Sequence, residues 1–121
     1  QKRLNILNKL KKLDFRIPVI ISKQAITSKS AKIKSGTIVM DRAVIHQDVN
    51  IGENCIINTG AIIEHDVTIG SNSHISTGAI VNGGVKIGNN VFIGSGSIIV
   101  NNINIKSNSF VKAGSLVKKH I

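Results

Sequence analysis

From Ile21 onward an aliphatic residue returns at every sixth position. The series runs Ile21, Thr27, Ile33, Val39, Ile45, Ile51, Ile57, Ile63, Ile69, Ile75, Val81, Ile87, Ile93, Ile99, Ile105, Val111 and Val117; sixteen of the seventeen are Ile or Val. No insertion breaks the register. The place two residues earlier is also patterned, with small or β-branched residues such as Ala43, Cys55, Ala61, Val67, Ser73, Ala79 and Ser97. Gly often follows the aliphatic (Gly52, Gly70, Gly88, Gly94), and Asn, Ser and Gly crowd the next two places. A period of six is neither helical nor the alternation of a long strand; it predicts a short strand and a tight turn. The aliphatic points inward, and Gly or Asn at the corner accepts a positive φ. Three units of six close a triangular coil of 18 residues, and coils stack by parallel pairing about 4.8 Å apart. Seventeen units give five to six coils of an all-β parallel β-helix.

The first twenty residues follow a different rule. Leu4, Ile6, Leu7, Leu10 and Leu13 recur at three- and four-residue spacing with Lys9, Lys11 and Lys12 between them, which predicts a short amphipathic helix. Pro18 ends it before Val19-Ile20-Ile21. A solenoid needs its open strand edges covered, so a capping role is expected for this helix. The chain therefore divides into residues 1–20, helix and strand, and residues 21–121, the β-helix domain.

Composition sharpens this reading. Aromatic residues are 2% of the chain, with three Phe and no Trp or Tyr, so the core must be a column of branched aliphatics. No apolar run approaches the roughly 20 residues that cross a bilayer, and no membrane partner is expected. A single cysteine, Cys55, forms no internal disulfide, which fits a reducing compartment and a cytoplasmic location. It falls at an inward place and reads as core.

The net charge of +10 invites a nucleic-acid reading, but its distribution argues against one. Ten basic groups and one acid lie in residues 1–34. Residues 35–105 hold Arg42 and Lys86 against five acids, and residues 106–121 add Lys106, Lys112, Lys118 and Lys119. A nucleic-acid groove wants a continuous basic stripe with aromatics for stacking, and this chain has neither.

Departures from the repeat mark where chemistry should sit. The clearest is Ile63-Glu64-His65-Asp66, where Glu-His-Asp replaces Gly plus Asn or Ser at a corner. Stacking at 18 residues places His65 between Gln47 and Gly83, Asp66 over Asp48, and Glu64 over His46. An imidazole beside a carboxylate is the minimum for general base catalysis: the acid holds the tautomer and stabilises the imidazolium. His74 occupies an outward strand position over Ile56 and under Phe92. Asn82-Gly83-Gly84 loosens the corner directly above His65. His46, His65, His74 and His120 show no close metal-ligand spacing.

The stretch Asn58-Thr59-Gly60-Ala61-Ile62-Ile63-Glu64-His65-Asp66-Val67-Thr68-Ile69-Gly70, then Ser73-His74-Ile75-Ser76-Thr77-Gly78-Ala79, resembles the hexapeptide-repeat acyltransferases. The branch it resembles holds the sialic acid O-acetyltransferases and the nucleotide-amino-sugar N-acetyltransferases, such as the bacillosamine and perosamine enzymes. Gly83-Gly84-Val85-Lys86-Ile87-Gly88 and Phe92-Ile93-Gly94 carry the same likeness. The resemblance implies a left-handed hand for the β-helix, against the usual crossover rule. It implies a cytoplasmic, homotrimeric acetyltransferase that uses acetyl-CoA as co-substrate and no metal. It implies His65 as catalytic base, Asp66 as its acid partner and Asn58 facing the acceptor sugar near the base. His74 would contact acetyl-CoA, backbone groups at Ser95 and Ala113 would hold the pantetheine arm, and the Gly83 amide would meet the oxyanion. Lys112, stacked above Gly94, would attract the coenzyme's phosphates with Lys118 or Lys119. It also implies that residues 1–20 are the remnant of a missing N-terminal nucleotide-sugar-binding domain.

The expected activity is therefore acetyl transfer to an amino or hydroxyl group of a sugar or nucleotide-linked sugar, by direct general-base-assisted attack. Two alternatives stand beside it. One is a non-catalytic β-helix that serves trimerisation or binding; the other is a γ-carbonic-anhydrase-like metal trimer.

Overall fold

The computed structural model describes residues 2–121. One helix, α1 (Lys2–Lys12), is followed by seventeen two-residue strands, from Ile20–Ile21 to Leu116–Val117. Every strand pairs in parallel with a strand eighteen residues away, for example Ile57 with Ile75 and Ile75 with Ile93. The strands form three sheets of six, six and five. The molecule is thus a three-sided parallel β-helix, as the period of six predicts.

The first face carries Ile20, Ile38, Ile56, His74, Phe92 and Phe110 outward. The second carries Ile26, Val44, Ile62, Ile80, Ile98 and Leu116. The third carries Lys32, Asn50, Thr68, Lys86 and Asn104. The chain turns three corners per coil: edge one from first to second face, edge two from second to third, and edge three from third back to first.

The step-of-six aliphatics fill the interior. Ile57, Ile63, Ile75, Ile93 and Ile99 are wholly buried, and Ala43, Ala61, Val67, Ala79 and Val85 complete each layer. Burying each Ile contributes about 1.5–3 kcal/mol. The regular column of one residue type explains how a core forms almost without aromatics.

The corners take the expected positive φ at Gly and Asn, and the structure fixes its place in the turn. The glycines directly after the aliphatic do not carry the positive φ. That conformation falls two residues later and is taken by Gly36, Arg42, Asp48, Asn54, Gly60, Asp66, Asn72 and their successors every sixth residue. Gly70 is required for a different reason: a Cβ there would stand 2.5 Å from the Gly88 carbonyl carbon in the coil above. At edge three the left-handed residues Asn54, Asn72, Asn90 and Asn108 form an amide ladder, each Nδ2 donating to the next Oδ1 at 2.8–3.1 Å.

The position of α1 also differs from a cap. It lies along the side of the prism at edge three, not over its open end. Leu7 is buried against Gly36, Arg3 Nη2 donates to the Asn54 carbonyl at 2.8 Å, and Lys11 pairs with Glu53. Ile20 and Ile26, in the lowest coils, stay largely exposed.

Candidate active site

Edge two presents His65 and Asp66. The second-face strand Ile62–Ile63 ends just before the corner, and Asp66 sits in the left-handed region at φ 59. Asp66 N donates to the Gln47 carbonyl in the coil below, and Gly84 N donates to the His65 carbonyl from above. The backbone of this corner is therefore fixed on both sides. His65 Nδ1 lies 2.8 Å from Asp66 Oδ2. A carboxylate only accepts, so Nδ1 carries the proton and Nε2 of the neutral ring is left with its lone pair. Both side chains are more than half exposed.

Nε2 faces Gly83. A Cβ on Gly83 would stand 2.7 Å from both Cε1 and Nε2 of His65, so only glycine leaves the ring its place. The expected stacking of Gly83 above His65 is observed. Beside it, His46 Nε2 approaches Glu64 Oε1 at 3.7 Å, again in the predicted column.

A feature that the sequence reading passed over joins several predicted residues. His65, Gly83, Ser95 and Ala113 occupy the same place in the hexapeptide turn, one before the left-handed residue. The turn gives that N–H no backbone acceptor among the described residues. At edge three a Ser or Asn side chain from the coil above fills the gap, as Ser71 Oγ accepts from Glu53 N and Asn89 Oδ1 from Ser71 N. At Gly83, Ser95 and Ala113 no side chain of the described residues accepts, and the donor is open to a ligand. The spacing of Gly83, Ser95 and Ala113 in multiples of six was the available signal.

The first face and edge one hold a second group. Asn58 Oδ1 accepts from Thr59 N at 2.8 Å, which fixes the amide and turns Nδ2 toward His74 Nε2 at 3.2 Å. Burial, and then the positive charge of Arg3, pull the His74 imidazole below its usual value, in keeping with an acceptor Nε2. His74 stands under Phe92, as predicted. Higher on edge one, Lys112 and Ala113 stack directly above Gly94, and Gly114 N donates to the Ser95 carbonyl.

The fold does not unite these two groups within one chain. His65 and Asp66 lie on edge two, whereas Asn58, Ser95, Lys112 and Ala113 lie on edge one and His74 on the first face. Nine residues separate His65 from His74, half of an eighteen-residue coil, so they point to opposite sides of the prism. Asn58 does not sit beside the base of its own chain. It stands at the same level as His65 across the width of the second face.

Other features stay apart from both groups. Cys55 is buried, its Sγ 3.2 Å from the Gly70 carbonyl, and burial pushes its thiol up. Among the described residues no three His, Cys, Asp or Glu side chains gather as a metal site, and no helix is long and apolar enough to cross a membrane. A groove of about 330 Å³ on the third face is lined by Lys32, Lys34, Asn50, Thr68, Ser71 and Asn89, and holds none of the predicted site residues.

Comparison with known proteins adds the chemistry of similar chains. The family model described as bacterial transferase hexapeptide (six repeats) matches residues 48–83 and 84–119. No curated protein matches the sequence. Among solved structures, PerB from Caulobacter crescentus in complex with CoA and GDP-perosamine is 30% identical, with a TM-score of 0.96 over 98% of this chain and 57% of that one. The acetyltransferase domain of PglB from Neisseria gonorrhoeae in complex with acetyl coenzyme A is 32% identical, with a TM-score of 0.95 over 97% and 57%. A mutant perosamine N-acetyltransferase from Caulobacter crescentus, with CoA and GDP-perosamine, is 29% identical, with a TM-score of 0.96 over 98% and 56%. The chain spans a little more than half the length of these structures.

Proposed function

The chain belongs to the bacterial transferase hexapeptide family, and on that premise we propose that it moves an acetyl group from acetyl-CoA to an amino group of a nucleotide-linked sugar. The observation that carries this reading is the edge-two corner: a tautomer-fixed imidazole whose free Nε2 lies beside the Cα of Gly83, a residue whose N–H meets no acceptor among the described residues. The similar structures with CoA, acetyl-CoA and GDP-perosamine support the substrate classes. Acetyl-CoA is a cytoplasmic metabolite, so this reading places the protein in the cytoplasm.

The chemistry follows from the residues. The acceptor nitrogen attacks the thioester carbonyl carbon while His65 Nε2 takes its proton. Asp66 stabilises the imidazolium through Nδ1–H. The Gly83 N–H is the candidate donor to the tetrahedral oxyanion. Collapse breaks the C–S bond, and the imidazolium returns its proton to the departing thiolate. Base catalysis of this kind contributes about 10²–10⁴ in rate. His74 on the first face and the N–H groups of Ser95 and Ala113 on edge one hold the coenzyme arm, Lys112 meets its phosphates, and Asn58 faces the acceptor.

The working unit in this reading is a homotrimer. The second face is apolar at all six outward places, from Ile26 to Leu116. The first face breaks its apolar run at His74, and the third carries lysines and amides. Three prisms with this face toward a common axis bury it. The same rotation sets edge one of each chain against edge two of its neighbour at equal height. The base at His65 then meets the Asn58, His74 and Ser95 group of the next subunit.

The test is turnover: full-length protein, acetyl-CoA and an amino-sugar nucleotide, with the released thiol measured. Thiol release that needs both substrates and is lost in His65→Ala supports the proposal. Coenzyme A binding that is absent by calorimetry favours a purely structural β-helix instead.

A further inference from the structure

We infer that the Asn82–Gly83 bond is a site of spontaneous succinimide formation, an ageing reaction aimed at the candidate active site. Among the asparagines of the chain only Asn82 precedes a glycine. Glycine has no Cβ to hinder attack by its own nitrogen on the side chain before it. The fold leaves that nitrogen unrestrained. Neither the Asn82 carbonyl nor the Gly83 N–H has a hydrogen-bond partner among the described residues. Beyond it, the Gly83 carbonyl accepts from Asn102 N and Gly84 N donates to the His65 carbonyl. One peptide plane is thus free to turn beside a fixed one. Asn82 Nδ2 donates to the Ile99 carbonyl at 2.7 Å, the one hydrogen bond of this side chain among the described residues. Other asparagines are held harder. Asn72 and Asn108, which precede serines, are tied into the edge-three ladder. Asn58 has its carbonyl bonded by Ala61 N and its Oδ1 by Thr59 N.

The Gly83 nitrogen, on losing its proton, attacks Cγ of Asn82. A C–N bond forms, the Cγ–Nδ2 bond breaks, and the side-chain nitrogen leaves as ammonia with that proton. Water then opens the five-membered imide. Opening at Cγ gives aspartate; opening at the backbone carbonyl gives isoaspartate. Each stage strikes the edge-two corner. The imide has no N–H at Gly83, so the candidate oxyanion donor is gone. Isoaspartate lengthens the backbone by one carbon and shifts Gly83 from its fit against His65. Val81 pairs with Ile63, so place 82 stacks over Glu64, and either product sets a second carboxylate there, one residue from the base. The loss of activity rests on the acetyl-CoA reading above; the bond chemistry does not.

The experiment ages full-length protein in mildly alkaline buffer and maps it by mass spectrometry, with a free peptide of residues 80–87 as reference. Methyl transfer by an isoaspartyl O-methyltransferase counts the isoaspartate. Residue 82 should convert ahead of Asn72 and Asn108, with a half-life within about tenfold of the peptide's, the order that breaking one hydrogen bond costs. Thiol release from acetyl-CoA with an amino-sugar nucleotide should fall in proportion. Asn82→Gln, which would have to close a six-membered ring, should hold its starting turnover through the same ageing. If Asn82→Gln melts below wild type, Asn82→Ser serves in its place. A half-life beyond that range, or earlier conversion of Asn72 or Asn108, overturns the inference. So does turnover that survives complete conversion of Asn82. A wild type inactive from the start sinks the acetyl-CoA reading, while the mass map alone then decides this one.

Discussion

The imidazole of His65 lies so close beneath Gly83 that a Cβ on the glycine would stand 2.7 Å from Nε2. The intruded atom is the far end of a side chain, not backbone, so relief is cheap for the fold and costly for the ring's position. Gly83 has no positive φ to lose. Gly83→Ala should leave the melting temperature within a few degrees of wild type and lower kcat by about 100-fold, because a small misplacement of a reacting group is that expensive. Steady-state kinetics beside a thermal melt would show it; an active Gly83→Ala protein would mean that Nε2 does not take the proton.

Asp66 serves two ends, which one substitution separates. Its left-handed φ is shared by Asn54, Asn72, Asn90, Asn102 and Asn108 at equivalent places, so Asp66→Asn suits the turn. The amide, however, no longer supplies the carboxylate that fixes Nδ1–H. Asp66→Asn should fold like wild type and lose about 10²–10⁴ in kcat. A kcat within threefold of wild type would reduce Asp66 to a turn residue.

If each site is shared between neighbours, two dead variants should revive one another. His65→Ala removes the edge-two half and His74→Ala the first-face half. Random reassembly of equal amounts should restore about a quarter of wild-type turnover, since that share of interfaces pairs two intact halves. Activity that stays at zero after co-refolding, with trimers confirmed by light scattering, would place the whole site on one chain.

His74 should make stability depend on pH. Burial and Arg3 hold its folded value below the unfolded value of about 6.5. The neutral ring is therefore favoured in the folded state. Its contribution is complete above about pH 6.5 and is lost as the pH falls toward the folded value. Melting curves from pH 8 to pH 4 should fall more steeply for wild type than for His74→Gln across that window. Parallel curves would show that another group controls the slope.

Much of this was written in the chain at a step of six. The inward column, the pairing of His74 with Ile56 and Phe92, the stacking of Gly83 on His65 and the helix at Lys2–Lys12 all follow from counting. The amphipathic stripe of α1 told that a face would be buried but not against what, because Leu7 suits a flank as well as an end. The positive φ of Gly and Asn at the corners was legible, but not that Gly70 answers to the backbone of the next coil. The division of the site between opposite sides was legible yet unread, since nine residues is half a circuit of eighteen. The unbroken apolar second face was legible too, by stepping eighteen from Ile26. The freedom of the Gly83, Ser95 and Ala113 N–H groups was not, because it depends on what the neighbouring coil offers as acceptor.

The uniform circuit of this prism restricts how such a chain can change length. Deleting eighteen residues removes one storey and leaves the Asn54–Asn72–Asn90–Asn108 ladder and every face in line. Deleting six keeps the inward column intact but swings everything above the cut by a third of a revolution. The polar, apolar and aromatic faces then no longer match between upper and lower storeys. Growth and shrinkage of this architecture are therefore quantised: the core counts in sixes, and the surface accepts only eighteens.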